Sequence, residues 1–334
     1  MNTDPQIALE RRRLIQHDRV GQLERLWEIR VLEDRAHDLF TDGMGHGITH
    51  TSQGQEAVAV GIATVMRHTD LITCTYRGHA LALALGLTPE EVLGELMGRS
   101  IGCVGGIGGS MHLSGVEVGM LPTFAIVGAG IPVATGVGLA AKLLGKDQIG
   151  VAVFGDGAAN IGAFHEGINL ASIWKLPVLF ICENNLYGEY TRMNLSTPVP
   201  NVADRAAAYA IPGRVVDGQD LDQVTAALQE ATEAIRAGGG PQLVEMKTYR
   251  YRGHVHSDPA LYRPKGELAA WQARDPVLIF EHRLVEEGRL TPEKASLLRD
   301  SAAARIEAAV EAVMASPEPD VAMMHAHVYA TRRP

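Results

Sequence analysis

Asp156 sits between two glycines, and Asn185 closes the pair Asn184-Asn185, each just after a short apolar run. A glycine turn after a strand ordinarily offers bare backbone N–H groups to phosphate, so a carboxylate in its middle opposes the anion such a turn would bind. A hard cation resolves the conflict. Mg²⁺ takes one or two protein oxygens and fills its remaining octahedral positions from phosphate and water. Gly-Asp-Gly or Asn-Asn alone is a common turn sequence. Their joint placement carries the signal.

That placement follows from the elements between them. "VAVF" at Val151 reads as a strand, Ala158 to Trp174 as a helix and Val178 to Cys182 as the next strand. Together they form one βαβ unit with parallel, neighbouring strands. Both strands then end on the same edge of the sheet, where open α/β folds bind ligands, and Asp156 and Asn185 converge there. Backbone N–H groups after Gly157 point at the same spot.

Along the whole chain, amphipathic helices alternate with apolar strands, the pattern of a mostly parallel sheet covered by helices on both faces. "DLITCTY", "IGVAVF", "LPVLFIC" and "QLVEMKTY" read as strands. Leu23, Leu26, Trp27, Leu39 and Phe40 define one face of a long N-terminal helix ending by Gly43. Thr88-Pro89-Glu90-Glu91 is a capping box, and Thr291-Pro292-Glu293 starts another helix. After Tyr262 the strands stop. The expected organisation is an N-terminal helical extension over 1–50, a diphosphate-binding α/β domain over 51–262 and a C-terminal helical region over 263–334.

Composition excludes several classes. The chain has 334 residues, 46% of them apolar and 21% charged, enough to bury a sizeable core. The net charge of −9, with no arginine-lysine stripe, argues against a nucleic-acid partner. Cys74, Cys103 and Cys182 are odd in number and lack metal or disulfide spacing, which fits a reducing compartment. "MNTDPQIALERRR" has no apolar core of a leader, so a cytoplasmic location is expected. Ala125 to Ala141 is nearly long enough to span a membrane, but Pro132 and four glycines make it a buried, closely packed helix instead. No membrane partner is expected.

The run from Gly155 through Tyr187, with "WKLP" and "CENN", resembles the alpha subunit of the thiamine-diphosphate-dependent first component of 2-oxo-acid dehydrogenase complexes. The resemblance extends over "SQGQEAVAVG", "TYRGH", "GGSMHL", "IVGAGIP" and "YRYRGHVHSDP", roughly Gln53 to Arg263. It implies thiamine diphosphate and Mg²⁺ as cofactors. Asp156 and Asn185 would ligate Mg²⁺ by side chain and Tyr187 by its carbonyl. Gly157 and Ala158 would offer N–H groups to the diphosphate, and Tyr76 and Arg77 would hold its oxygens. Val127 would hold the aminopyrimidine through its backbone, His254 would lie beside the cofactor, and His79 near the active-site entrance; the two histidines are the catalytic candidates. His46, His50, His112 and His165 are expected to be structural or peripheral.

The same resemblance implies oxidative decarboxylation of a 2-oxo acid, with acetoin cleavage as the alternative. It also implies a beta subunit that supplies the pyrimidine-binding half, and a separate lipoyl-bearing acyltransferase as acyl acceptor. The small helix from Pro132 to Leu144 is the expected beta-subunit contact in a heterotetramer. Two departures stand out. Ala125 replaces a glycine common before Ile-Val-Gly, and Val255 stands where pyruvate-type mitochondrial relatives carry a phosphorylatable serine. A transketolase-like half would share the diphosphate edge. A nucleotide-binding module would need a GxxxxGK[ST] loop, which the chain lacks.

Overall fold

The computed structural model describes residues 10–12 and 15–326, the side chains of the last three excepted. The reading of the N-terminal segment as leaderless falls largely outside them. Six strands form one wholly parallel sheet: β1 (Leu71–Thr75), β2 (Met120–Phe124), β3 (Gly150–Gly155), β4 (Val178–Asn184), β7 (Gly213–Asp217) and β8 (Gln242–Lys247). Their spatial order is β2-β1-β3-β4-β8-β7. Two short strands, β5 (Tyr187–Gly188) and β6 (Thr191–Arg192), make a separate antiparallel hairpin after β4.

Alternation of side chains along the central strands feeds two cores. Val151, Val153, Leu179 and Ile181 point to one face and pack with helices Arg19–Thr41, Glu56–Val65 and Pro292–Ala315. Ala152, Phe154, Phe180 and Cys182 point to the other and pack with Phe164 and Ile168 of helix Gly162–Ile173. The long N-terminal and C-terminal helices therefore share one core with the sheet.

All four expected strands form, and β2 and β7 are added at the two edges. The capping box at Thr88 and the cap at Thr291 form as expected. Two expectations change. The helix expected from Ala158 starts only at Gly162, because Asp156–Asn160 winds as a tighter 3₁₀ turn. The helix expected to be buried near Pro132 runs Gly130–Leu143 and is buried on one side only. Gly138 lets it press on β4, where a Cβ would meet Val178 Cγ2 at 2.5 Å. Val133, Gly136, Leu143 and Leu144 face outward, beside Ile173 and Trp174. No helix among the described residues is long and apolar enough to cross a membrane.

Candidate active site

The carboxyl ends of β1, β3, β4 and β8 open on one cavity of about 510 Å³. β1 runs out into Tyr76 and Arg77, β3 into Asp156 and Gly157, and β4 into Asn185 and Tyr187. Tyr76, Arg77, Val127, Asp156, Gly157, Ala158, Asn185, Tyr187 and His254 all line it. Residues from five separate stretches thus reach one space because parallel strands end together.

Asp156 is buried and has no ion-pair partner among the described residues within 4 Å. Burial pushes its pKa up to about 6, against weaker opposing effects from its own backbone N–H and the distant charge of Arg250. A buried carboxylate without a cation is the environment a divalent metal satisfies. Asn185 donates from Nδ2 to Gln55 Oε1 at 3.0 Å, and its Oδ1 accepts from Tyr187 N–H at 3.3 Å. The amide is thereby held in one orientation, with lone-pair capacity left on Oδ1. The turn that carries it is strained: Leu186 and Glu189, flanking Tyr187-Gly188, both have positive φ. Gly157 and Gly188 approach so closely that a Cβ on Gly157 would meet Gly188 Cα at 3.1 Å. Glycine at both positions leaves the backbone N–H groups open to a ligand.

Positive charge faces this acid. Arg77 is buried, donating through its Nη atoms to the carbonyls of Thr51 and of His254, the latter at 3.1 Å. Arg250 is buried and donates to Glu189 O at 3.0 Å and Tyr262 Oη at 2.7 Å. Among the described residues neither has a carboxylate within ion-pair distance, and Arg250 Nε has no hydrogen-bond partner. Burial and then the charge of Arg250 pull the Arg77 pKa down to about 10. Two buried guanidiniums without carboxylates are the complement of a diphosphate. The residues present therefore fit both the metal and the anion.

His254 accepts from Arg250 Nη1 through Nδ1 at 3.2 Å. Arginine can only donate, so the proton of the neutral ring sits on Nε2. Burial, then Arg77 and Arg250, pull its pKa down to about 3. The segment Arg250–Arg263 is a closed turn. Asp258 accepts from the N–H groups of His254 and Ala260 and from Tyr262 Oη, while Arg263 donates to the carbonyls of Arg250, Tyr251 and Arg252.

One histidine lies elsewhere than expected, and a second lines the cavity. His79 is not at the entrance; it is fully buried, 2.9 Å from Glu33 through Nδ1 and 2.9 Å from Ser110 Oγ through Nε2, and does not line the cavity. It opens helix His79–Leu85, every residue of which is buried. His50, expected to be structural or peripheral, lines the cavity, with its ring 4.3 Å from that of Tyr76. Its pKa falls to about 2, first from burial and then from Arg77 and His254, and its Nδ1 has no partner. Arg250 was also missed, although the arginine spacing in "YRYRGH" places a second guanidinium near the end of β8.

A parallel sheet whose carboxyl edge joins a buried carboxylate, a glycine cradle and two buried arginines defines a protein of the α/β class with a polar ligand site at its strand ends. The chain belongs to the dehydrogenase E1 component family, whose family model matches residues 24–322. It is 40% identical over 309 residues to the alpha subunit of the acetoin:2,6-dichlorophenolindophenol oxidoreductase of Bacillus subtilis, covering 92% of each chain. It is 38% identical to the pyruvate dehydrogenase E1 component subunit alpha of Rhizobium meliloti, over 90% of this chain and 86% of that one. The human somatic mitochondrial form of the same subunit is 35% identical, over 96% and 82%. Membership implies thiamine diphosphate as the cofactor.

Proposed function

We propose that the chain is the alpha subunit of a heteromeric thiamine-diphosphate-dependent dehydrogenase that oxidatively decarboxylates a pyruvate-like 2-oxo acid and passes the acyl group to a lipoyl carrier. The observation that carries this reading is the buried charge in the cavity that makes no ion pair within 4 Å among the described residues: Asp156 on one side, Arg77 and Arg250 on the other. In this reading Asp156 and Asn185 hold Mg²⁺ by side chain and Tyr187 by its carbonyl. Gly157 and Ala158 donate backbone N–H groups to the diphosphate, with Tyr76, Arg77 and Arg250 on its remaining oxygens. Val127, nearly half exposed at the cavity mouth, offers backbone to the aminopyrimidine. Ala125 lines the same wall.

Bound thiamine diphosphate supplies an electron sink for cleavage of a C–C bond next to a carbonyl. Around it, neutral His254 presents Nε2–H as a donor and His50 its unpartnered Nδ1, both kept uncharged first by burial and then by nearby positive charge, Arg77 foremost. Neutral rings offer one donor and one acceptor near neutral pH without adding to the positive field. The open apolar side of helix Gly130–Leu143 continues from Ile126 and Val127 at the mouth, which supports a beta subunit closing the cavity there. A heterotetramer, a lipoyl-bearing acyltransferase as acceptor and a cytoplasmic location belong to the same proposal.

Acetoin is the second reading, supported by 40% and 39% identity to the alpha subunits of two acetoin oxidoreductases. One assay series separates them. The complex of the chain with its beta subunit is given pyruvate, other 2-oxo acids and acetoin, with dye reduction as readout. Turnover with a 2-oxo acid and not acetoin supports the first reading, the reverse supports the second, and steady turnover by the single chain contradicts the need for a partner.

A further inference from the structure

His79 lies outside the cavity, yet its hydrogen bonds lead back to it. Glu33, on helix Arg19–Thr41, is wholly buried; Oε2 meets His79 Nδ1 at 2.9 Å, and Oε1 accepts from the backbone N–H of Ser52 at 3.1 Å and from its hydroxyl. On the other side of the ring, Nε2 meets Ser110 Oγ at 2.9 Å, and Ser110 Oγ meets Thr49 Oγ1 at 3.0 Å. Every member is buried. Which way the hydroxyl protons point is tied to which ring nitrogen of His79 carries the proton.

The chain therefore grips a four-residue strap, Thr49 to Ser52, at both ends. Thr49 is reached from His79 through Ser110, and Ser52 directly from Glu33. Between the two grips stand His50, which lines the cavity, and Thr51, whose carbonyl accepts from Arg77. Thr49 O also accepts from His256 N–H at 3.2 Å, tying the strap to the turn that carries His254. Ser52 is the first residue after this acceptor, and helix Glu56–Val65 begins four residues further on. The two grips flank the Thr51 carbonyl on either side.

We infer that Glu33, His79 and Ser110 form a positioning relay that sets Arg77 for the diphosphate through the Thr49–Ser52 strap. The inference rests on the reading of Arg77 as a diphosphate ligand. The relay touches no ligand itself; buried, satisfied networks of this kind hold one geometry among several that packing alone would allow. A 1 Å displacement of a charged fork is enough to weaken its bidentate contacts.

The test uses the complex with the beta subunit and reads the dissociation constant of inorganic diphosphate with Mg²⁺, alongside that of thiamine diphosphate and the melting temperature without ligand. Ser110→Ala and Ser52→Ala each remove one hydroxyl and leave the helices intact. Each is expected to weaken diphosphate binding several-fold while kcat at saturating cofactor stays within about twofold, since a positioning loss is recovered by mass action. In an Arg77→Lys background, already about tenfold weaker, the same changes should add little, because the relay acts through Arg77. Ser110→Thr, which restores a hydroxyl, should recover much of the loss. Variants that melt lower but bind diphosphate as wild type, or that weaken binding equally in the Arg77→Lys background, overturn the relay. Wild-type binding by Arg77→Lys itself overturns the underlying reading of Arg77, an outcome distinct from failure of the serine variants alone.

Discussion

Buried charge is handled in two opposite ways in this molecule. On the helical side, Arg25 and Arg11 converge on Glu28, and Arg30 bridges Glu56 and Asp275. Burial pushes the Glu28 carboxyl up, but Arg25, Arg11 and Arg305 outweigh it and hold its pKa below the ordinary value. Burial pulls Arg30 down, but Glu56 and Asp275 outweigh that and hold it above. At the carboxyl edge of the sheet no ion pair forms among the described residues, and burial takes Asp156 up to about 6 and Arg77 down to about 10; on the helical side burial also takes Arg25 down to about 10, but its partner Glu28 is in place. Charges that compensate one another stabilise a fold. Charges left uncompensated mark where an outside ion is to complete the structure.

The sharpest break of this contrast is removal of one charge from each region. Glu28→Ala leaves Arg25 buried without its partner and should cost about 3–5 kcal/mol in denaturant unfolding, while cofactor affinity of the folded protein stays unchanged. Next in size, Arg77→Ala should leave unfolding of the ligand-free protein nearly unchanged or slightly stabilised. It should lose about 2–3 kcal/mol of diphosphate affinity, roughly 30- to 150-fold, by titration calorimetry. Equal stability losses in the two variants would erase the distinction between the regions.

Smaller effects sharpen it. Trp174→Ala on the open face beside helix Gly130–Leu143 should lower beta-subunit affinity by about 1–2 kcal/mol in sedimentation while the isolated chain melts as before. The cavity histidines give a pH signature. In the unfolded chain His50 binds a proton below about 6.5, whereas in the fold it does so only near 2. Between those values the unfolded state binds more protons, so the stability contributed by the neutral ring is present above 6.5 and is lost as pH falls. His50→Gln should flatten the acid limb of a melting-temperature profile between about pH 6.5 and 4. An unaltered limb would remove His50 from the uncompensated group.

Much of this contrast is legible in the sequence, and the gaps have physical causes. The central strands are continuous apolar runs because both faces are covered, so β1, β3, β4 and β8 are readable, and with them the meeting of Asp156 and Asn185. The edge strands are not. "MLPTF" carries Pro122, tolerated because β2 has a free side, and β7 exposes its first three residues, so neither shows an apolar run. Helix Gly130–Leu143 is apolar all round, and sequence alone cannot separate a face buried in its own chain from one left open. The histidines fail for a different reason. His79 follows "TYRG" directly, but its ring bonds Glu33 and Ser110 instead of lining the cavity. His50 enters the cavity from a strap whose position depends on that same buried relay. Contacts distant in sequence decide both.

The central claim is that Asp156 is held at a cost until a cation joins it, and Asp156→Asn tests it most directly. In the ligand-free fold the carboxyl keeps its proton to about pH 6, whereas unfolded it loses it near 3.8. Stability present below 3.8 is therefore lost as pH rises through 6, by an amount on the order of 3 kcal/mol for about two pKa units. Melting temperatures of wild type and Asp156→Asn should be compared at pH 4 and 7.5, with and without thiamine diphosphate plus Mg²⁺. The variants should coincide at pH 4, and without ligand Asp156→Asn should melt higher at pH 7.5. Ligand should then raise only the wild type, by about 2.7 kcal/mol at a hundredfold excess over its dissociation constant. A lower ligand-free melting temperature for Asp156→Asn at pH 7.5, or an undiminished response to the cofactor, would contradict the account.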